Sequence, residues 1–207
     1  MRKLLNYLFL LIVLVIPAAH AAQGLSPDAL ARSVTEEVLS AIRADKEMQA
    51  GNQKKIVELV EAKVLPHFNF AAMTQVAMGR NWRQANPAQQ KRLIGEFRTL
   101  LVRTYTTAFS QYKNQTVDYK PVRMSANDTD VVVQSLIKQP SGAPVAVDFN
   151  MEKTDQGWKV YNIKIEGISL VENYRNTFNS EIQKHGVDGL IKALSDKNHT
   201  NAQAALK

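Results

Sequence analysis

The stretch PVAVDFNMEKTDQGWKVYNIKIEG, residues 144–167, decides the fold. Its first half alternates strictly between apolar and polar side chains, with Val145, Val147, Phe149 and Met151 forming the apolar set. This period of two predicts a strand at 144–153 that buries one face and exposes the other to water.

A second strand follows almost at once, at 158–166. The residues DQG at 155–157 favour a tight turn, so the two strands are predicted to form a hairpin. In the second strand the apolar side chains are first at the even positions 158 and 160, and then at the odd positions 161, 163 and 165. This change of phase predicts either a β-bulge or burial of both faces.

Two further strands precede this hairpin, at 116–122 and 130–138. Turn-forming residues lie between them at 126–128, and again at 140–142 before the strand at 144–153. Short connections between consecutive strands imply antiparallel pairing. The sequence therefore predicts a four-stranded antiparallel meander.

Helices are predicted on both sides of these strands in the chain. Ser26-Pro27 is typical of a helix start, and a second helix is predicted at 53–64. Asn86-Pro87, with Gln89 at the capping-box position, opens a long third helix that extends to about 112. Two closing helices, at 170–183 and 187–195, are separated by Gly186. Helices mostly on one side of an antiparallel sheet make an α+β architecture.

The first residues have the features of an export signal. Met1-Arg2-Lys3 precedes an apolar run at 4–16, and small residues stand at Ala19 and Ala21. This pattern predicts a signal peptide at 1–21 that is cleaved after Ala21. The apolar run is shorter than the about 20 residues that a membrane span needs. We expect residues 22–197 to form a single exported domain, followed by a disordered tail at 198–207.

Composition narrows the possible functions. The 207 residues include no cysteine, which excludes disulfides, thiol catalysis and thiolate metal sites. The net charge of +7 falls to about +5 once the signal is removed. This excess favours anionic surfaces such as phospholipid headgroups or acidic proteins, but it is equally typical of an ordinary solvated surface. Without a dense basic run, nucleic acid is not an expected partner of an exported protein.

Residues that could support catalysis are sparse. No Gly-x-Ser-x-Gly elbow or phosphate-binding glycine loop is present. His67, His185 and His199 fall in no zinc-binding pattern, so we expect no metal site. Asp148 and Glu152 could in principle form a glycosidase-type pair, but they lie on the polar strand face where solvated carboxylates are expected. We therefore expect that the protein is not an enzyme.

Apolar side chains are plentiful on the long third helix and on the strands. They could line a cavity for acyl chains, where each buried methylene contributes about 0.8 kcal/mol. They could equally pack on one another as an ordinary core. Periodicity alone does not distinguish these two interpretations.

Two longer stretches resemble a known family. The first contains FNFAAMT at 68–74, AMGRNWR at 77–83 and FRTLLVRTY at 97–105. The second is GWKVYNIKIEGISLV at 157–171, followed by Asn173-Tyr174-Arg175 and Phe178. In this order they resemble the MlaC family, also called toluene-tolerance auxiliary proteins, over roughly residues 26–197.

The resemblance implies a twisted antiparallel sheet wrapped by helices, related to the nuclear-transport-factor-2-like and cystatin-like shapes, around a deep apolar cavity. It implies a periplasmic carrier that holds phospholipid acyl chains in that cavity, leaves the headgroup at the mouth, and maintains the lipid asymmetry of the outer membrane. The implied partners are the inner-membrane Mla ABC transporter complex and the outer-membrane Mla lipoprotein/porin complex. We expect a monomer with no cofactor, the bound phospholipid being cargo.

The lining of the tail cavity is predicted from the apolar phase of the third helix and the sheet. The predicted lipid-binding residues are Phe97, Leu101, Tyr105, Val133, Val147, Phe149, Met151, Ile163 and Ile165. Trp82, beside Arg80 and Arg83, is predicted to pack the joint between two helices. Two other functions stay open at this point: an exported hydrolase on the same type of fold, and an adaptor that binds no lipid.

Overall fold

The alternating residues of the decisive stretch form a long central strand, Val145–Thr154. The computed structural model describes residues 24–106 and 114–204. The predicted signal peptide at 1–21, its cleavage after Ala21, and the predicted end of the third helix near 112 lie outside these residues.

The strands of the described residues form one antiparallel sheet in the order β1-β2-β3-β4-β5. Its strands are β1 Thr116–Tyr119, β2 Asp130–Lys138, β3 Val145–Thr154, β4 Gly157–Ile165 and β5 Ile168–Ser169. The antiparallel meander is confirmed. The first strand is shorter than predicted and ends two residues before Pro121, which has no backbone N–H to donate.

The prediction of four strands was wrong by one. Glu166 and Gly167 have φ angles of 50° and 77°, and this left-handed turn folds the chain back onto β4. Ile168 and Ser169 then pair with Ile165 and Lys164. A strand of two residues is too short to show a period in the sequence, so periodicity could not reveal it.

The change of apolar phase in β4 is a β-bulge, as one of the two interpretations predicted. Asn150 pairs with Asn162, whereas the next residue, Met151, pairs with Val160. Tyr161 is the extra residue between them. The bulge allows Val160 to face the same side of the sheet as Ile163 despite the odd spacing between them.

Six α-helices accompany the sheet in the described part of the chain. They are α1 Pro27–Ala44, α2 Lys46–Gln49, α3 Gln53–Lys63, α4 Phe70–Met78, α5 Pro87–Tyr105 and α6 Asn173–Ala204. The predicted capping box of α5 is confirmed, because the Asn86 side chain accepts a hydrogen bond from the Gln89 N–H and the Gln89 side chain accepts one from the Asn86 N–H. Helices α2 and α4 were not predicted, since both are short.

The last helix, α6, differs from its prediction at both ends. Gly186, with φ 69°, interrupts its helical conformation, as predicted. However, α6 begins three residues later than predicted and continues to Ala204 instead of ending near 195. The predicted disordered tail at 198–207 is therefore corrected for residues up to Ala204. Asn198 is only 4% exposed, and its amide donates hydrogen bonds to the Glu96 backbone oxygen and carboxylate.

Two apolar clusters hold the fold together. The helical cluster joins α4, α5 and α6 around Phe97 and Phe178. The sheet cluster joins β2, β3 and β4, and consists of Val131, Val133, Met151, Trp158 and Val160. The space between the sheet and the helices is therefore bordered by apolar side chains on several sides.

Asn69 fixes α4 against the sheet. Its backbone N–H donates to the Val160 oxygen at 2.8 Å, while its side-chain oxygen caps α4 at the Ala72 N–H. The side-chain amide also donates to Glu152 Oε1 at 2.6 Å. The preceding Phe68 pairs with Val160 as a single parallel bridge, so this connection covers part of the free edge of β4.

Candidate functional site

A cavity of about 490 Å³ lies between the inner face of the sheet and the helices. Helix α1 contributes one wall, with Leu30, Val34, Val38 and Leu39. The end of α3 and the following 3-10 turn contribute Val60, Val64, Leu65 and His67. Helices α4 and α5 and the sheet complete the lining, which also includes Phe68, Phe70, Met73, Leu101, Val102, Tyr105, Tyr119, Ile137, Val145, Phe149, Met151, Val160, Ile163 and Leu170. The volume is within the range of about 300–1,000 Å³ that is typical of ligand sites.

The cavity lining is neutral as well as apolar. Among the described residues that line it, no aspartate, glutamate, lysine or arginine is present. Ser135 faces the cavity, but its hydroxyl already donates to the Val147 carbonyl oxygen at 2.8 Å. A ligand in this space would therefore gain stability from burial of its apolar surface rather than from ion pairs.

The titratable side chains of the lining are held in their neutral forms near pH 7. Burial lowers the pKa of the His67 imidazole and the nearby Lys159 ammonium lowers it further, although Glu37 acts in the opposite direction. Burial, with the adjacent Tyr174, raises the pKa of Tyr105 to about 12. Neither side chain would place a charge against an acyl chain at neutral pH.

Five of the predicted residues line the cavity. Leu101 and Tyr105 reach it from the last turns of α5, and Phe149, Met151 and Ile163 reach it from β3 and β4. The strand residues face the same side because Met151 is two residues after Phe149 on β3, and Ile163 is the register partner of Phe149. These predicted positions are therefore available to a ligand.

The other four predicted residues are not in the lining. Phe97 is fully buried in the helical cluster, where its ring packs edge-to-face against Tyr174 and Phe178 at centroid distances of 5.1 and 5.2 Å. Val133 is fully buried in the sheet cluster. Val147 and Ile165 pair with each other on the cavity side of the sheet, but neither reaches the lining. The apolar phase of a helix or strand shows on which face a residue lies. It does not show whether neighbouring side chains separate that residue from the cavity.

Sequence reasoning missed the wall that α1 and the residues after α3 form. The apolar spacing of Leu30, Val34 and Val38 predicted a buried helix face, but gave no indication of what that face meets. The residues after α3, including Leu65 and Phe68, lie in a 3-10 turn and its connection, where no period exists. Helix α1 and the residues after α3 come together at the cavity only when the chain is folded.

Two other side chains have structural contacts. Trp82 packs against the helical cluster, as expected for a residue that packs a joint. Arg103 of α5 donates to the backbone oxygen of Asn198. Within the described ranges, no helix is both long and apolar enough to cross a bilayer, and no group of three or more potential metal ligands occurs.

The sequences of two described proteins align with most of the chain. An intermembrane phospholipid transport system binding protein from Haemophilus influenzae is 22% identical over 172 residues, which is 82% of this chain and 80% of that protein. The toluene tolerance protein ttg2D of Pseudomonas putida is 24% identical over 164 residues, 79% of this chain and 76% of that protein.

A solved structure provides a closer comparison. A phospholipid-binding protein from Ralstonia solanacearum, in complex with a phospholipid, is 43% identical and has a TM-score of 0.79. The match covers 86% of this chain and 99% of that one. The model of the family described as MlaC protein matches residues 32–196. With the family model covering most of the chain, the protein belongs to the MlaC family.

Proposed function

We propose that the protein is a periplasmic carrier that binds phospholipid by its acyl chains in the cavity and moves it between the two membranes. The observation that carries this proposal is the neutral, apolar cavity of about 490 Å³ between α1, α5 and the sheet. Transfer of each methylene from water into such a lining contributes about 0.8 kcal/mol, so the tails supply most of the binding free energy.

The phospholipid-bound relative at 43% identity supports the choice of cargo. The lining supports it too, because a charged or strongly polar ligand would find no ion-pair partner among its described residues. The headgroup is then left at the mouth, in contact with water. We propose the predicted lining residues Leu101, Tyr105, Phe149, Met151 and Ile163 as contacts of the tails.

The setting of this activity is also a proposal. The name of the Haemophilus influenzae relative refers to an intermembrane phospholipid transport system. We infer that the chain is exported by its signal peptide, works as a monomer, and exchanges lipid with the inner-membrane Mla ABC transporter complex and the outer-membrane Mla lipoprotein/porin complex. The five-stranded antiparallel sheet with helices over its inner face supports a relationship to the nuclear-transport-factor-2-like and cystatin-like shapes.

Two alternatives make different predictions for the purified protein. An adaptor that binds no lipid would be empty and would take up none from vesicles. A hydrolase would release fatty acid from a bound lipid, and would need an ionised or nucleophilic group at the cavity, where the described lining offers only neutral side chains.

Native mass spectrometry of the mature protein distinguishes the three functions. We expect a complex whose added mass corresponds to intact phospholipid, and lipid extraction should return diacyl species. An empty protein that stays empty after incubation with phosphatidylglycerol vesicles would contradict the carrier function. Recovery of lysophospholipid or free fatty acid in proportion to protein would support the hydrolase instead.

A further inference from the structure

Helices α1 and α3 form one wall of the cavity and pack against each other. Their side chains Val38, Ile42, Ile56 and Val60 are at most 3% exposed. All four belong to neither the helical cluster nor the sheet cluster. These four side chains pack apart from both clusters, whereas Leu30 and Ala31 at the start of α1 pack against the sheet cluster. The rest of the wall is attached to the protein by contacts along its edges.

One such edge is the seam between α1 and the strand β1. Strand β1 is at the edge of the sheet, and α1 contacts both β1 and the neighbouring β2. Tyr119, the last residue of β1, crosses the seam and places its hydroxyl 2.6 Å from Thr35 Oγ1. The same hydroxyl donates to the Ala31 carbonyl oxygen at 3.2 Å, so Thr35 is the donor in the first contact.

The surroundings of Tyr119 strengthen these contacts. The side chain is mostly buried, and burial raises its pKa, so the hydroxyl keeps its proton at neutral pH. The Arg32 guanidinium lies over the ring at 5.2 Å from the centroid. Hydrogen bonds shielded from water are stronger than exposed ones.

A second edge of this wall, between α3 and α5, is held more weakly. Glu61 of α3 contacts Arg98 of α5 at 3.5 Å, and the two side chains are 50% and 38% exposed. Exposed ion pairs contribute little to stability and are screened by salt. The Tyr119 contacts are therefore the stronger of these two attachments.

We propose that the Tyr119–Thr35 pair holds the seam closed and so sets the rate at which phospholipid leaves the cavity. This inference rests on the proposed carrier function. Both side chains line the cavity, so a lipid that leaves between α1 and β1 has to separate them. The hydroxyls are a small part of the lining, and the amount of lipid held at equilibrium depends mainly on the apolar side chains around them.

Tyr119→Phe tests the proposal directly. It keeps the ring against the cargo and against Arg32, but removes both hydrogen bonds of the hydroxyl. Thr35 is then free to bond the Ala31 oxygen one helical turn away, so no buried donor is left without a partner. Protein loaded with a fluorescent phosphatidylglycerol is mixed with unlabelled phosphatidylcholine vesicles, and transfer is followed with time.

We expect Tyr119→Phe to transfer lipid roughly tenfold faster than the wild type, as expected for the loss of about one net hydrogen bond. Thr35→Val should give a similar increase. Because the two substitutions remove one shared interaction, the double variant should be little faster than either single variant. Lipid occupancy before mixing, measured by native mass spectrometry, should change much less than the transfer rate in all three.

Tyr161→Phe is the matched control. Tyr161 is also on the sheet and hydrogen-bonded, with Asp130 and Asn150 as partners, but it does not line the cavity. It should transfer lipid at the wild-type rate. Equal acceleration in Tyr161→Phe would overturn the proposal, because general loosening of the sheet would then explain the effect.

Wild-type transfer rates in folded Tyr119→Phe and Thr35→Val, with unchanged occupancy, would also overturn it. If Thr35→Val loses its lipid, the Tyr119–Thr35 pair determines how tightly lipid is bound rather than how fast it leaves. That result would contradict the proposal as well. If the wild-type protein itself takes up no labelled lipid, the carrier function fails first, and this inference fails with it. The occupancy measured before mixing separates that result from the others.

Discussion

Phe149 on β3 and Ile163 on β4 are register partners, and both side chains line the cavity from the same face of the sheet. This pair forms part of the floor of the cavity, facing the α1 wall. Its position makes the central strands the most direct place to test whether lipid tails occupy the space.

Phe149→Asp should abolish lipid retention. A carboxylate in contact with acyl chains loses its hydration without gaining a partner, which costs several kcal/mol. We expect occupancy in native mass spectra to fall at least about tenfold, since a loss of 1.4 kcal/mol already changes an equilibrium constant tenfold.

Val132→Asp is the control for that variant. Val132 is on the neighbouring strand β2 but faces outward, and it is 45% exposed. It should keep its lipid and its thermal midpoint. Full lipid retention in a folded Phe149→Asp variant would place the tails elsewhere.

Phe97 and Leu101, one helical turn apart on α5, should separate stability from binding. Phe97 packs on Tyr174 and Phe178 in the helical cluster, so Phe97→Ala should lower the free energy of unfolding by about 3–5 kcal/mol. Leu101 belongs to the same cluster but also lines the cavity. Leu101→Ala should therefore reduce lipid occupancy, and should lower the free energy of unfolding of the lipid-free protein by less than Phe97→Ala does.

Urea denaturation of delipidated protein, together with mass spectrometry of the loaded protein, gives both quantities. The prediction is contradicted if Phe97→Ala keeps wild-type stability but loses lipid, because Phe97 would then contact the cargo. Comparable effects of the two substitutions on both quantities would also contradict it.

Much of the sheet could be predicted because alternation is a local property. The positions of β2, β3 and β4 follow from local apolar patterns and turn residues. The change of phase in β4 left a bulge and burial of both faces open, and only the register at Tyr161 decides for the bulge. Strand β5 could not be predicted in the same way, since it depends on the left-handed turn at Glu166 and Gly167.

The cavity was only partly predictable because it is made by contacts distant in sequence. Phe149 and Val133 have the same apolar phase and are register partners, yet only Phe149 reaches the lining. The difference is that Val133 is covered by its neighbours in the sheet cluster. The α1 wall was missed for a related reason, since its partner across the seam, Tyr119, is 84 residues away from Thr35.

His67 should make stability depend on pH in a narrow range. Its folded-state pKa is below the ordinary value of 6.5, chiefly because of burial. Between the two pKa values the unfolded chain binds more protons than the folded one, so stability is lost as pH falls from about 6.5 through the folded pKa. Above pH 6.5 the histidine is neutral in both states and has no such effect.

His67→Gln should remove the part of the pH dependence of stability that His67 causes. The urea midpoint of the wild type should fall more between pH 7.5 and pH 5.5 than that of the variant. The charged neighbours of the imidazole, Glu37 and Lys159, are present in both proteins, so the difference between the two slopes isolates the imidazole. Identical slopes would show that burial of His67 does not disfavour its charged form.

Asn198 should be a structural residue of the folded domain rather than part of a frayed tail. Its side-chain amide donates to the Glu96 backbone oxygen at 2.9 Å and to the Glu96 carboxylate at 2.7 Å, while its backbone oxygen accepts from Arg103. Asn198→Ala removes this donor from two acceptors of Glu96, which is half-buried. Such a loss costs about 1–3 kcal/mol of unfolding free energy, measured by urea denaturation.

The adjacent His199 supplies the control, because it is exposed on the same helical turn. His199→Ala should change the free energy of unfolding by no more than about 0.5 kcal/mol, as is usual for exposed positions. A truncation after residue 197 should destabilise the protein at least as much as Asn198→Ala, since it also removes the backbone oxygen that Arg103 contacts. If the truncated protein unfolds at the wild-type urea concentration, the last turns of α6 contribute nothing to the fold, and the sequence-based assignment of a disordered tail was the better description.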